Sequence, residues 1–328
     1  MALKIVITGG AGFLGSSLAR ALLQRGEAIG PDGKPSEIRE LVLVDLVAPT
    51  VADPRVRTAV VPGLQPDALA AALGRDTDSV FHLAAVVSAA AEADFDLGLS
   101  VNVDGTRCLL EACRALARPP RLVFTSSIAV FGGALPPVVP DGAAATPTNS
   151  YGAQKAIAEL LVADYARKGF IDGRSLRLPT IVVRPGRPNK AASSFASGII
   201  REPLNGEDAI CPINRDTKVW ILSPRRAVAA LIGAHELPAA AWGARSALNL
   251  NGLTVTVGEM AAALERVAGA KVAARIKWQP DAALQAIVGG WPGEFDTRRA
   301  AALGFTPDAD MDAIIRAYIE DHLPGGPR

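Results

Sequence analysis

The chain has 328 residues, of which 49% are hydrophobic and 20% charged, and its formal net charge is +1. This composition suits one large domain or two modest ones with a buried core, and the near-zero charge does not indicate nucleic acid or an anionic membrane as a partner. The first predicted strand starts almost at the N-terminus, and no apolar run approaches the ~18 residues of a membrane helix. We therefore expect a cytoplasmic protein without a signal peptide or membrane span.

The first predicted elements are a buried strand, Leu3 to Ile7, and an amphipathic helix, Ser16 to Arg25. Between them stands the sequence Gly9-Gly10-Ala11-Gly12-Phe13-Leu14-Gly15. Glycines at this spacing allow a tight turn and a close approach of the backbone to a pyrophosphate, and the helix N-terminus offers free N–H groups. The motif predicts a dinucleotide site.

A second predicted strand, Leu41 to Val44, is followed by Asp45. An acid at this position accepts hydrogen bonds from the ribose diol and repels a 2′-phosphate, which favours NAD over NADP. Asp45 follows Gly15 at a longer interval than the usual ~20 residues. We attribute the excess to a loop over Gly26 to Glu40, which is polar and contains Gly and Pro.

Strands and helices alternate along the next part of the chain. The predicted segments are a helix at Pro66 to Gly74, a strand at Ser79 to Leu83, a helix at Leu97 to Leu116, a strand at Arg121 to Ser126, a helix at Tyr151 to Lys168 and a strand at Ser175 to Val183. The alternation predicts an α/β fold with a doubly wound parallel sheet of the Rossmann type, in which ligands bind at the carboxyl ends of the strands.

The pattern changes after Arg184, where an irregular region is predicted as far as about Pro224. Helical patterns return at Arg225 to Leu237, Thr256 to Ala268 and Met311 to His322. We expect a nucleotide-binding domain over 1–184 and a smaller C-terminal substrate-binding portion over 185–328.

The few cysteines and histidines lack metal-ligand or disulfide spacing. They are Cys108, Cys113 and Cys211, and His82, His235 and His322. We expect inert thiols in a reducing compartment and no metal site.

Tyr151 and Lys155 are four residues apart on a predicted helix, so their side chains share one face. A phenol ionises near pH 10 in water, too high for an efficient base at neutral pH. A neighbouring ammonium favours the phenolate. Together with the glycine motif, the pair predicts proton transfer beside a nicotinamide.

Several motifs together resemble the extended short-chain dehydrogenase/reductase superfamily, and within it the NAD-dependent epimerase/dehydratase branch. Besides the glycine motif and the Tyr/Lys pair, they are His82-Leu83-Ala84-Ala85, Asn102-Val103-Asp104-Gly105-Thr106, Thr125-Ser126-Ser127 and Pro147. The resemblance covers nearly the whole chain. It implies a homodimer through the helices around Asn102 to Leu116 and Tyr151 to Lys168.

The resemblance also implies roles for individual residues. The implied catalytic residues are Ser127, Tyr151 and Lys155, with Ser127 orienting the reacting substrate oxygen. The implied cofactor-binding residues are Gly9, Gly12, Phe13, Leu14, Gly15, Asp45, Leu83, Ala84, Ala85, Ser88, Asn102, Tyr151, Lys155 and Pro179. The expected substrate contacts are Ser88, Ser127, Tyr151, Thr180 and Arg184. Asn102 is equally suited to capping the helix after it.

The chain departs from nucleotide-sugar enzymes of this branch at several positions. Phe131 stands where epimerases usually have tyrosine, Ser126-Ser127 replaces the acidic pair of dehydratases, and Trp220 to Arg226 replaces a segment rich in aspartate and histidine. Without a general acid for the leaving group, dehydration is not expected. The stretch Arg184 to Phe195 is similar to a subgroup that oxidises small sugar acids.

A small acid needs a carboxylate anchor, for which a bidentate arginine is best suited. The candidates are Arg184, Arg187, Arg201 and Arg225. We therefore expect NAD-dependent oxidation of a sugar acid at its 2-hydroxyl. A nucleotide-sugar epimerase, a short-chain L-threonine dehydrogenase and a non-catalytic NAD sensor remain as alternatives.

Overall fold

The computed structural model describes residues 2–186, 192–244, 247–323 and 325–326. Its strands, in chain order, are β1 Leu3–Thr8, β2 Glu27–Ile29, β3 Pro35–Asp45, β4 Val56–Val60, β5 Ser79–His82, β6 Arg121–Ser127, β7 Asp172–Leu178, β8 Thr180–Ile181, β9 Ala209–Cys211, β10 Lys218–Leu222, β11 Ala247–Asn249, β12 Leu253–Thr256 and β13 Ile276–Trp278.

The helices are α1 Phe13–Arg25, α2 Pro66–Leu73, α3 Ser88–Ala93, α4 Phe95–Leu99, α5 Gly105–Arg114, α6 Ser150–Arg167, α7 Ser194–Leu204, α8 Pro224–Glu236, α9 Ala239–Trp242, α10 Val257–Ala268, α11 Ala270–Ala273, α12 Ala282–Gly289, α13 Arg298–Ala302 and α14 Met311–His322. A π-helical turn, Ser100–Asp104, joins α4 to α5. In the described ranges, no helix has the length and apolar character needed to cross a membrane.

The chain groups into two compact units, each formed from separate stretches. The first comprises 1–130, 149–177 and 228–248. Its eight-stranded sheet has the order β11-β7-β6-β5-β1-β3-β2, and β4 also pairs with β3. β1 is parallel to both β3 and β5. The strand order therefore reverses beside β1, which is where a doubly wound sheet binds its ligand.

Burial explains why β1 forms in the middle of this sheet. All six of its residues are buried, as expected for a parallel strand covered on both faces. The core on one face contains Val6, Val42, Phe124 and Val162 among others. Apolar residues from strands and helices thus fix β1, and with it the loop that follows.

The second unit comprises 131–148, 178–227 and 249–328. It contains a sheet of order β12-β10-β8 and the parallel pair β13-β9. Apolar residues of α7, α10 and α14 form its core, among them Ile199, Met260 and Ile315. The Thr256 hydroxyl accepts from the Glu259 N–H while the Glu259 carboxylate accepts from the Thr256 N–H, a capping box that starts α10.

The predicted α/β fold with a parallel sheet is confirmed, but two local predictions are wrong. The stretch Gly26 to Glu40 is not a loop, because β2 and the first half of β3 form an antiparallel hairpin there. The region from Arg184 to Pro224 is not irregular throughout, since it contains α7, β9 and β10. In both places, tertiary packing and strand pairing override a local sequence rich in Gly, Pro and polar residues.

Candidate active site

The glycine motif forms the turn between β1 and α1. Gly9 has a φ of 75°, which favours glycine. The N–H groups of Gly9 and Gly10 donate to the carbonyl of Val44 on β3, at 2.9 and 3.2 Å. Gly12 precedes the first residue of α1 and has no side chain to cap the helix. The N-terminus of α1 therefore presents backbone N–H groups at the carboxyl edge of the sheet.

Close contacts show why side chains do not fit in this turn. A Cβ on Gly9 would lie 2.7 Å from the Ala84 nitrogen, and a Cβ on Gly15 would lie 2.1 Å from the Gly9 oxygen. Such a cradle of bare backbone at a helix N-terminus fits the pyrophosphate of a dinucleotide. Gly9, Gly12, Phe13, Leu14 and Gly15 would hold that group.

Asp45 ends β3 beside this turn. Its carboxylate accepts from the Ala11 N–H at 2.8 Å and from the Leu46 N–H at 2.7 Å. A carboxylate has about four acceptor positions, so two ribose hydroxyls can still be bound. Asp45 therefore both braces the glycine turn and has capacity left for the adenosine ribose.

The segment after β5 carries the predicted residues Leu83, Ala84, Ala85 and Ser88, and Ser88 begins α3. It is held by Asn102, whose side chain accepts from the Val86 N–H at 2.8 Å and donates to the Val86 carbonyl at 3.0 Å. The capping role considered for Asn102 is wrong, because this residue lies inside the π-helical turn. Turns of this kind occur frequently at functional sites.

The predicted Ser127, Tyr151 and Lys155 all belong to the first unit. Ser127 is half-buried at the end of β6. Lys155, on α6, is buried, and its ammonium donates to the Thr125 carbonyl of β6 at 2.8 Å. The Lys155 Nζ lies 5.7 Å from the centroid of the Tyr151 ring and 4.6 Å from that of Phe124. The strand end with Ser127 and the helix with Tyr151 are thereby tied together.

Burial lowers the pKa of Lys155 to about 7, although the charge of Glu159 opposes this effect. His82 is also fully buried, and burial together with the charge of Lys155 lowers its pKa to about 3. The His82 ring bonds to the hydroxyls of Thr8 at 2.6 Å and Thr106 at 2.9 Å. His82 is therefore neutral at pH 7, whereas the pKa of Lys155 lies near neutral pH.

Sequence reasoning missed a buried network behind the site. Arg177 on β7 forms an ion pair with Glu159 of α6, with its Nη2 2.7 Å from Glu159 Oε2. The hydroxyl of Ser126 donates to Glu159 Oε1 at 2.5 Å. The position of Glu159, four residues after Lys155 on the same helix face, was a usable signal. The network fixes α6 against the strand that carries Ser127.

Three predicted residues, Pro179, Thr180 and Arg184, belong to the second unit. Thr180 is half-buried on β8, and Pro179 is buried just before it. The backbone N–H of Arg184 donates to the Ser197 hydroxyl at 3.1 Å, and its guanidinium donates to the Ser193 hydroxyl at 3.3 Å. The backbone and side chain of Arg184 are thus held by α7 and the residue before it.

The other candidate arginines have different surroundings. Arg201 is buried, with its Nη2 2.6 Å from Glu202 Oε1. Arg225 lies at the surface, and its Nη2 is 2.6 Å from Asp321 Oδ1. Both guanidinium groups already pair with a carboxylate, so neither fits the expected role of substrate anchor. Arg187 lies outside the described residues.

The departures from the nucleotide-sugar pattern are largely core positions. Phe131 is buried with its ring centroid 5.6 Å from that of Phe295. The Trp220 ring also packs against Phe295, with the two ring centroids 5.5 Å apart. These aromatic residues stabilise the second unit by burial and ring packing. The departures at Phe131 and Trp220 therefore lie in the core of the second unit.

Comparison with known proteins identifies the family of the chain. The model of the NAD dependent epimerase/dehydratase family matches residues 5–226. D-erythronate dehydrogenase from Cupriavidus necator is 57% identical over 97% of this chain and 98% of that protein, and D-erythronate dehydrogenase from Haemophilus influenzae is 45% identical over 97% and 99%. The crystal structure of the nucleoside-diphosphate-sugar epimerase from Agrobacterium tumefaciens superposes with a TM-score of 0.92 at 42% identity, covering 99% of this chain and 95% of that one. The glycine turn, the acid on β3 and these matches together show that the chain belongs to the NAD dependent epimerase/dehydratase family.

Proposed function

We propose that the protein oxidises D-erythronate at its 2-hydroxyl with NAD+, giving 2-dehydro-D-erythronate. The observation that carries this proposal is the 57% identity, over nearly the full length of both chains, to a D-erythronate dehydrogenase. The contacts of Lys155 support it, because this residue lies beside Tyr151 and bonds to the strand that ends at Ser127.

In the proposed reaction, Tyr151 as phenolate removes the proton of the substrate hydroxyl. Ser127 donates a hydrogen bond to the same oxygen and orients it. Lys155, held by the Thr125 carbonyl, supports the ionised form of Tyr151 and positions the nicotinamide ribose. NAD+, when bound, accepts the hydride from C2.

A carboxylate anchor completes the proposal. Arg184 is our candidate, because the residue is half-buried and its guanidinium is braced by the Ser193 hydroxyl. A braced, planar guanidinium matches a carboxylate in two hydrogen bonds and loses little freedom on binding. Thr180 and Ser88 are proposed to contact substrate hydroxyls or the nicotinamide amide.

The test is NADH formation by purified protein with D-erythronate, its stereoisomers, L-threonine and UDP-sugars, with NADP+ in parallel. We expect NADH from D-erythronate and NAD+, and little reduction of NADP+ because Asp45 repels a 2′-phosphate. NADH formation with L-threonine and with none of the other compounds would show that L-threonine, and not D-erythronate, is the substrate.

An epimerase is the second candidate, favoured by the 42% identity to the nucleoside-diphosphate-sugar epimerase. Epimerisation of a UDP-sugar without net NADH would establish it. Tight NAD binding with no turnover of any substrate would instead indicate a sensor protein.

We further propose a cytoplasmic homodimer. Cys108, Cys113 and Cys211 are all free thiols, which suits a reducing compartment. Burial raises the pKa of Cys113 to about 12, so this thiol is inert at neutral pH.

Exposed apolar side chains on α6, Ile157 and Leu160, support contact with a second copy.

A further inference from the structure

Gln154 lies on α6 immediately before Lys155 and is buried. Its Oε1 accepts a hydrogen bond from Asn102 Nδ2 at 2.7 Å. This contact joins the helix that carries Tyr151 and Lys155 to the π-helical turn. None of the roles derived above requires it.

The orientation of both amides follows from the Val86 backbone. Asn102 Oδ1 accepts from the Val86 N–H, and Asn102 Nδ2 donates to the Val86 carbonyl. Asn102 therefore cannot be turned over without losing both bonds. Since its Nδ2 also faces Gln154, the glutamine must present its oxygen as acceptor.

This arrangement has an energetic cost. Gln154 Nε2 is buried and meets no acceptor in the part of the chain that the structure describes. A buried donor without an acceptor loses its hydration and gains no hydrogen bond in return, so it destabilises the folded state. Gly98 on α4 makes room for the amide, because a Cβ there would lie 2.7 Å from Gln154 Nε2. An apolar side chain would fill the same space without the cost, so the acceptor oxygen is the feature that needs explaining.

The bonds from Gln154 lead to the segment that faces the glycine turn. Val86 lies two residues after Ala84, whose N–H donates to the Thr8 hydroxyl at 3.3 Å. The Ala84 nitrogen is also the atom that a Cβ on Gly9 would meet. The segment is thus held at its start by the end of β1 and further along by Asn102, in the position where we propose that it contacts the cofactor.

We propose that Gln154 is a positioning residue for NAD: its oxygen orders Asn102, and Asn102 holds Val86 and the adjoining segment against the glycine turn. The inference rests on the proposed function only in assigning this segment to the cofactor. Gln154 itself acts through Asn102 and takes no part in proton transfer.

The test compares Gln154→Leu and Gln154→Met with Val162→Ala, a core truncation on the same helix. Hydrogen exchange of the Val86 amide is measured in the protein without cofactor, NAD affinity by titration, and stability by thermal unfolding. In both Gln154 variants we expect faster Val86 exchange and an NAD Kd raised about fivefold, the value of one net hydrogen bond, without a lower Tm. Val162→Ala should lower Tm and leave NAD affinity unchanged.

Unchanged hydrogen exchange of the Val86 amide in the Gln154 variants would overturn the proposed connection from Gln154 through Asn102 to Val86, whatever reaction the enzyme performs. Faster exchange with an unchanged NAD Kd would overturn the positioning role. A Kd that rises in Val162→Ala in proportion to lost stability would show that general loosening of α6 is sufficient. Failure of the wild-type protein to oxidise D-erythronate would count against the proposed function alone.

Discussion

At the level of single residues, two tyrosines on α6 provide an internal comparison. Tyr151 lies beside Lys155, whereas the Tyr165 hydroxyl donates to Glu111 on α5. We expect Tyr151→Phe to lower kcat by about 100-fold or more, the usual contribution of a positioned base, with NAD affinity retained. Tyr165→Phe removes the same atom and should leave kcat unchanged. Steady-state kinetics with D-erythronate and NAD+ give kcat for both variants. Equal effects of the two substitutions would contradict the assignment of Tyr151 as the base.

The buried Lys155 predicts a pH-dependent stability. Its pKa in the folded protein is about 7, whereas an unfolded lysine has a pKa of about 10.4. Between these values the unfolded chain binds more protons, so the contribution of Lys155 to the free energy of unfolding becomes more favourable as pH rises, by up to about 1.4 kcal/mol per pH unit. Below pH ~7 both states are protonated and the full penalty of burying the charge is present.

Lys155→Met removes this dependence. We expect the variant to gain stability over wild type most strongly at about pH 6, with the gain shrinking towards about pH 9, because the wild-type penalty declines in that window. Urea unfolding at several pH values measures the difference. Lys168→Met, at an exposed position just after α6, serves as control and should show no such trend. A gain that is constant with pH would contradict the prediction.

Arg184 is the residue at which the proposed substrate class can be tested. Arg184→Gln removes the guanidinium that we propose binds the carboxylate, so the KM for D-erythronate should rise at least about tenfold, in line with a charged hydrogen bond, while NAD affinity is retained. Arg225→Gln, which breaks a surface ion pair, is the matched control and should leave KM unchanged. Equal KM values in both variants would exclude Arg184 as the anchor.

At the level of elements, two helical glycines predict opposite outcomes. Gly15 in α1 faces the Gly9 oxygen, where a Cβ would stand at 2.1 Å, so Gly15→Ala should cost ~1–3 kcal/mol of stability through overpacking and weaken NAD binding. Gly198 in α7 has its nearest neighbours at 3.7 Å or more, so Gly198→Ala should gain ~0.5–1 kcal/mol. Urea unfolding of both variants checks the contrast, and a gain for Gly15→Ala would mean that the turn is not closed against α1.

The helices and strands also show which sequence signals are sufficient to predict an element. β1, α1 and α6 were predicted to within a few residues, because each combines a clear apolar pattern with a glycine, proline or capping signal. β2 and the start of β3 were missed since the run from Glu27 to Glu40 is largely polar, and only Ala28 and Ile38 among its paired residues are buried. The strands β9 and β10 were missed because they are short and depend on partners distant in sequence, β13 and β12.

In the site, too, some residues are predicted by local sequence signals and others only by the folded chain. Ser127, Tyr151 and Lys155 follow from local motifs, and the structure places all three in the first unit. The Glu159–Arg177 pair and the Gln154–Asn102 contact join residues 18 and 52 positions apart. Helix spacing indicates that Glu159 lies near Lys155, but only the folded chain reveals the partners of these side chains. Their assignment to function stays a prediction.

At the level of the whole molecule, the proposed homodimer is supported by apolar exposure on α6. The Leu160 side chain is 72% exposed and Ile157, three residues before it, is also exposed. Residues three apart lie on one face of a helix, so the two side chains form a common apolar surface. Large apolar side chains that share a face outside the core are typical of contact with another protein.

Leu160→Arg tests whether this surface joins two copies of the chain. If the proposed homodimer forms through α6, the arginine buries an unpaired charge from each copy in the interface, and the variant should become monomeric in light scattering after size-exclusion chromatography. Ile210→Arg is the matched control, since Ile210 is 61% exposed but lies on β9 in the second unit. A wild-type monomer, or a dimer that survives Leu160→Arg, would refute the interface. Loss of the dimer in Leu160→Arg alone would show that the exposed face of α6, the helix that also carries Tyr151 and Lys155, contacts a second copy.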